Sequence, residues 1–171
     1  MFPGGIADKL GNRYEAKWLV RQLLDVIAGK ADWIRYEGVT PQFNGFEFAV
    51  GRKGATHWHQ TKINAPNGNW TIPALKRENV LTAFKNRLEC NTNDRCLFIS
   101  QDPAKDIRTL SDKAKLSVTS LEEFKNAILS TEQNDKFAQL TSVWNCTDVI
   151  AHNSCSAVIF SHCPKRSWME S

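Results

Sequence analysis

Phe46-Glu47-Phe48-Ala49-Val50-Gly51-Arg52-Lys53-Gly54-Ala55-Thr56-His57-Trp58-His59-Gln60-Thr61-Lys62 reads as two extended segments joined by a tight turn. The first is expected over residues 45–50 and the second over 55–63, with Gly51-Arg52-Lys53-Gly54 as a hairpin whose glycines suit positive φ. Side chains alternate along a strand, so Gln60 and Lys62 share one face, which Trp58 joins. His57 and His59 point to the opposite face, where a strand histidine is expected to be packed and hydrogen-bonded rather than catalytic. Glu47, on the hairpin partner, reaches the same end of the sheet as Gln60 and Lys62. An acid, an amide oxygen and an ammonium gathered there make a poor core but a sensible metal site. A hard cation such as Mg²⁺ takes carboxylate and carbonyl oxygens and keeps several waters. Beside a phosphate, such an ion polarises a phosphoryl oxygen and acidifies a bound water. A neighbouring lysine can position that water and stabilise charge developing on the phosphate.

The flanking sequence supplies the rest of an α/β pattern. Asn12 to Ala28 predicts a helix, framed by Gly11 and Gly29, with Leu19, Val20, Leu23, Leu24, Val26 and Ile27 on one broad apolar arc. Glu15 lies on the margin of that arc, placed to bring a second carboxylate to the same site. Trp33 to Glu37 is a further short strand. After a loop rich in Asn, Gly and Pro, Pro73 opens a helix expected to run to about Leu88, burying Val80 or Leu81, Phe84 and Leu88. Arg95 to Ser100, with Cys96-Leu97-Phe98-Ile99 uninterrupted, predicts a strand covered on both faces. Beyond it the chain is mostly helical: a capping box opens at Ser120, and Phe137, Leu140 and Trp144 form a stripe. Residues 156–160 fit a last strand. A boundary is expected after residue 145, leaving 146–171 as a C-terminal extension or the stub of a longer protein.

The order helix, three strands, helix, strand, with an acid on the second strand and Gln-x-Lys on the third, resembles the PD-(D/E)xK nuclease superfamily. The closer likeness is to its Mrr-like branch, where glutamine replaces the second acid. Gly4-Gly5-Ile6-Ala7, Gly11-Asn12-Arg13-Tyr14-Glu15, Trp70-Thr71 and Val80-Leu81-x-x-Phe84 further resemble the N-terminal nuclease domain of bacterial anti-phage effectors, the CD-NTase-associated double-stranded DNA endonucleases and some antiviral STAND ATPases. The likeness spans residues 4–145. It implies a restriction-endonuclease-like αβββαβ core with additional C-terminal helices, and Mg²⁺-dependent (or Mn²⁺-dependent) hydrolysis of phosphodiesters in double-stranded DNA. Carried over residue by residue, Glu15, Glu47 and the backbone carbonyl of Thr61 hold the metal, Gln60 stands beside them, and Lys62 assists attack. Aspartate is the commoner residue at the position of Glu47, and the extra methylene shifts the carboxylate. The resemblance also implies a sensor or ATPase module on a longer chain or a partner, and a homo-oligomer as the active form.

Composition agrees with one soluble domain and excludes other classes. The chain has 171 residues, 42% of them hydrophobic and 23% charged, the proportions of a globular protein. No run approaches the roughly eighteen apolar residues of a membrane span, and the start lacks the basic-then-apolar pattern of a secretory signal. An odd count of five cysteines then points to reduced thiols in a cytoplasm. Residues 1–90 carry 13 Lys and Arg against 8 Asp and Glu, so a polyanionic partner should meet this half. Arg52, Lys53, Lys76 and Arg77 are the candidate phosphate contacts, on the hairpin tip and the start of the second helix. His152, Cys155, His162 and Cys163 are good zinc ligands, but two adjacent ones are awkward for a tetrahedral ion. No P-loop motif is present. Two other readings share these residues: a binding module that holds no metal, and a nuclease acting on RNA or single strands.

Overall fold

The computed structural model describes residues 5–36, 43–117 and 120–162. Helix α1 (Gly5–Ile27) leads into a three-stranded meander of β1 (Trp33–Tyr36), β2 (Phe48–Arg52) and β3 (Ala55–Lys62). Helices α2 (Ile72–Arg77) and α3 (Val80–Cys90) precede β4 (Arg95–Ser100). Then follow α4 (Lys105–Leu116), the short α5 (Leu121–Glu123) running into a π-helical turn, α6 (Thr131–Trp144), α7 (Asp148–Ser156) and β5 (Val158–His162). The strands form one mixed sheet in the order β1-β2-β3-β4-β5, antiparallel across β1-β2-β3 and parallel across β3-β4-β5. The molecule is therefore α/β.

The hairpin expected from the glycine-flanked turn is present, in a tighter form. Only Lys53 and Gly54, both at positive φ, lie outside the strands, the signature of a two-residue turn that matches strand twist. Gly51 belongs to β2 instead, paired with Trp33 of β1 and Thr56 of β3. Residue 47 just precedes β2, although the Glu47 amide still donates to the His59 carbonyl at 3.0 Å and so extends the ladder.

Each face of the sheet has its own core. On one, α1 places Tyr14 and Trp18 over Phe48, Val50, Leu97 and Ile99. On the other, α2 to α7 pack Leu81, Phe84, Phe124, Phe137 and Trp144 toward Ala49, Trp58 and Phe98. β4 contributes alternate residues to both cores, which is why its apolar run is unbroken. Among the described residues no helix is long and apolar enough to cross a membrane, and Cys90, Cys96, Cys146 and Cys155 are free thiols.

Four expectations are corrected. α1 starts at Gly5 and runs through Gly11, rather than opening at Asn12. It buries Tyr14, Trp18 and Gln22, one turn apart, and leaves Val20, Leu23, Leu24 and Ile27 exposed, the last at 74%. The aromatic stripe prevails because Trp18 both fills the core and donates its indole N–H to buried His59 at 3.1 Å. The single helix expected from Pro73 to Leu88 is two: Thr71 caps α2, and Asn79 at φ 59 turns the chain before α3. Finally, no packing break follows residue 145, since β5 pairs with β4 and Ala151, Cys155 and Val158 lie in the core. Residues 163–171, including Cys163, lie outside the described residues.

Candidate active site

Parallel pairing of β3 with β4 brings their carboxyl ends together, Lys62 opposite Ser100, and the start of β2 arrives at the same end. Open α/β sheets place ligands outside the carboxyl ends of their strands. Phe48 pairs with His59 and Ala49 with Trp58, so continuing the register sets Glu47 beside Gln60, on the face shared with Lys62. Glu47, Gln60 and Lys62 thus lie toward one corner of the sheet.

Glu47 Oε2 accepts the Thr61 amide N–H at 2.9 Å, which fixes the carboxylate and leaves Oε1 for another partner. The contact Thr61 makes here is through its amide. Burial pushes the Glu47 carboxyl up to about 8; the Thr61 amide and Glu47's own amide oppose this, nearby Glu15 adds to it, and Lys62 opposes it. Glu15 comes from α1 across the sheet and accepts the Tyr36 hydroxyl at 3.0 Å. A carboxyl whose burial holds on to its proton is one whose ionised form a bound cation would favour. Gln60 Oε1 is buried with no hydrogen-bond partner, an orphaned oxygen beside Glu47. Glu47 and Gln60 offer oxygen donors of the kind a hard cation takes, and Glu15 carries a further carboxylate; among the described residues there is no group of three His, Cys, Asp or Glu side chains suited to hold a metal ion.

Lys62 Nζ lies 3.8 Å from Glu78 Oε2. An uninterrupted helix from Pro73 to Leu88 gives Glu78 no reason to face the end of β3. The break at Asn79 supplies that reason: the chain leaves α2 at Glu78 and presents it to the end of β3. Removing this partner should loosen Lys62. If the resemblance to the nucleases holds, Glu78→Ala lowers turnover of DNA about tenfold with little change in KM, and Glu78→Gln loses less. Steady-state cleavage kinetics check this; a loss confined to KM would argue against a role through Lys62.

The basic candidates separate. Lys76 and Arg77 are exposed in the last turn of α2, next to Glu78, and so border the corner. Arg52 and Lys53 do not flank it. β3 is 8 residues long, which puts the hairpin tip roughly 23 Å from Lys62. Arg52 is also committed elsewhere, donating to Asp25 at 2.6 Å, Gln22 at 2.7 Å and the Lys30 carbonyl at 3.1 Å. It pins the hairpin to α1. Arg52→Ala should therefore cost about 1–2 kcal/mol of stability, and should leave any binding of DNA unchanged. A denaturation curve alongside a binding titration checks both halves; weakened binding with unchanged stability would restore Arg52 as a phosphate contact.

The other expected residues have structural settings. Trp58 is core, donating to buried Asp94 at 2.9 Å with the Arg87 guanidinium 4.2 Å above its ring. His59 stacks on Phe48, accepts the Trp18 N–H through Nδ1, and is held down to about 3 by burial. His152 shares a 2.6 Å hydrogen bond with Ser117, and Cys155 is buried. Set against known proteins, the chain matches no family model, no curated protein and no solved structure.

Proposed function

We propose that the chain is a restriction-endonuclease-like, Mg²⁺-dependent nuclease domain that hydrolyses phosphodiester bonds of double-stranded DNA, as an effector of anti-phage defence. The observation that carries this reading is the convergence of Glu47, orphaned Gln60 Oε1 and Lys62 on one corner, with Glu15 electrostatically coupled to Glu47 from the other face. The element order α1-β1-β2-β3-α2-α3-β4 supports it further.

Glu15 and Glu47 would hold the ion, with the Thr61 carbonyl completing the set. When bound, Mg²⁺ supplies charge neutralisation at the phosphate and acidifies a water. Glu47 is oriented for this by the Thr61 amide, and Glu15 by the Tyr36 hydroxyl. Gln60 Oε1, buried and with lone pairs to offer, orients a water or its proton. Lys62, steadied by Glu78, presents an ammonium to the phosphate oxygens as negative charge builds on them. Water oxygen bonds to phosphorus while the bond to the 3′ oxygen breaks, and a water proton ends on the leaving oxygen. Lys76 and Arg77 approach the flanking phosphates.

The test is nicking of a supercoiled plasmid by purified protein with Mg²⁺, with Mn²⁺ and with EDTA. Cleavage that appears only with the metal supports the reading. A folded protein that binds duplex DNA and never cleaves it under any of these conditions would make the chain a binding module. Preferential degradation of RNA or single strands would move it to another substrate.

A further inference from the structure

β1 is an edge strand with exposed side chains on the face turned away from α1. Ile34 packs toward α1 and Tyr36 reaches Glu15 on that helix, so the alternating residues Trp33 and Arg35 point to the other side. Both are exposed, Trp33 at 41%, whereas Trp18, Trp58, Trp70 and Trp144 are all buried. Trp33 is held there by construction. A Cβ at Gly51 would meet the indole at 2.2 Å, so the missing side chain lets the ring lie against β2. The Arg35 guanidinium stands over the same ring, 5.7 Å from its centroid. Among the described residues its contact is with this aromatic face rather than with a carboxylate.

The location gives the pair a use. Arg35 is opposite Ala49, two residues from Glu47, and shares the sheet face of Glu47, Gln60 and Lys62. Trp33 follows one side-chain repeat further from that corner, and exposed Lys53 lies beyond it at the turn. We propose that Trp33 and Arg35 form a docking platform for the DNA strand leaving the candidate active site. Arg35 takes a backbone phosphate and Trp33 packs on the adjoining sugar or base. Lys53 extends the track and contacts phosphate far from the scissile bond. The charge complementarity of Arg35 and Lys53 with a polyanion, and the continuity of this face with the corner, select DNA as the occupant. The proposal rests on the reading of the chain as a DNA-binding nuclease.

The experiment is fluorescence anisotropy with a short fluorescein-labelled duplex in EDTA, at several salt concentrations. Wild type would be compared with Arg35→Ala, Trp33→Ala and, as a control, Arg108→Ala on α4. Arg35→Ala should weaken binding roughly five- to tenfold and reduce the slope of log affinity against log salt by about one. Trp33→Ala should weaken it about three- to tenfold with little change in slope, and Arg108→Ala should do neither. Affinities equal to wild type for the Arg35 and Trp33 variants would overturn the platform. Should Trp33→Ala fail to fold, Arg35→Ala decides alone, since Arg35 is exposed. Duplex binding that depends on Arg35, in a protein that never cleaves, would keep the platform and refute the hydrolytic reading. Absence of DNA binding by the wild type would refute both.

Discussion

Lys62→Ala is expected to abolish metal-dependent cleavage, by roughly a hundred- to a thousandfold, while the folded protein and its DNA binding persist. The magnitude is that of removing a preorganised charge from a transition state. The sparing of the fold follows from position. Lys62 is the last residue of β3, its side chain is one-third exposed, and its ion pair with Glu78 is a surface contact at 3.8 Å. Such pairs contribute about 1 kcal/mol or less. Trp58 and Gln60, two and one side-chain repeats back on the same face, are the residues that pack. Binding to duplex DNA in EDTA should change by no more than two- to threefold, because one phosphate contact among several is lost. Nicking gels, circular dichroism and a metal-free binding titration on the same preparation make the comparison. Cleavage by Lys62→Ala at the wild-type rate would remove Lys62 from the chemistry. Loss of the helical signal would instead give it a structural role.

The placement of Lys62 beside Gln60 is carried by local sequence. A strand's period of two is rigid, so Gln60 and Lys62 had to share a face, and a tight turn at Lys53-Gly54 fixed the register that sets Glu47 beside them. The run Cys96-Leu97-Phe98-Ile99 marked a central strand because both of its faces are covered. Features decided by competition between parts were not legible. α1 offers two apolar stripes, and the choice of Tyr14 and Trp18 depended on His59 and Phe48 waiting across the sheet. The helix break that turns Glu78 toward Lys62 depends on Asn79 adopting positive φ, which its short polar side chain permits but does not compel. Arg52 reads as a phosphate contact at a hairpin tip only because Asp25, Gln22 and the Lys30 carbonyl are distant in sequence.

Glu47→Gln is expected to make the metal-free protein more stable and to remove its response to Mg²⁺. The sign follows from linkage. The Glu47 carboxyl is pushed up from 4.5 to about 8 in the folded protein, so between those values the folded state holds a proton that the unfolded state has released. Stability attributable to this group is therefore intact below about pH 4.5, falls as pH rises, and reaches its floor above pH 8. Glutamine keeps the volume and can still accept the Thr61 amide, so the substitution isolates the charge. In EDTA at pH 8 the variant should gain a few kcal/mol, on the order of 5–10 °C in Tm for a chain of this size. Its stability should also vary less between pH 5 and 8 than that of the wild type. Mg²⁺ should raise the wild-type Tm, more at pH 8 than at pH 6, where binding must first displace the Glu47 proton. The variant should show little such rise and no cleavage. Thermal denaturation with and without Mg²⁺ at the two pH values reads all of this without depending on activity. Equal Tm values and equal Mg²⁺ responses for the two proteins would sink Glu47 as a ligand, and with it the balance at this corner in which a destabilising carboxylate is kept for the cation it can hold.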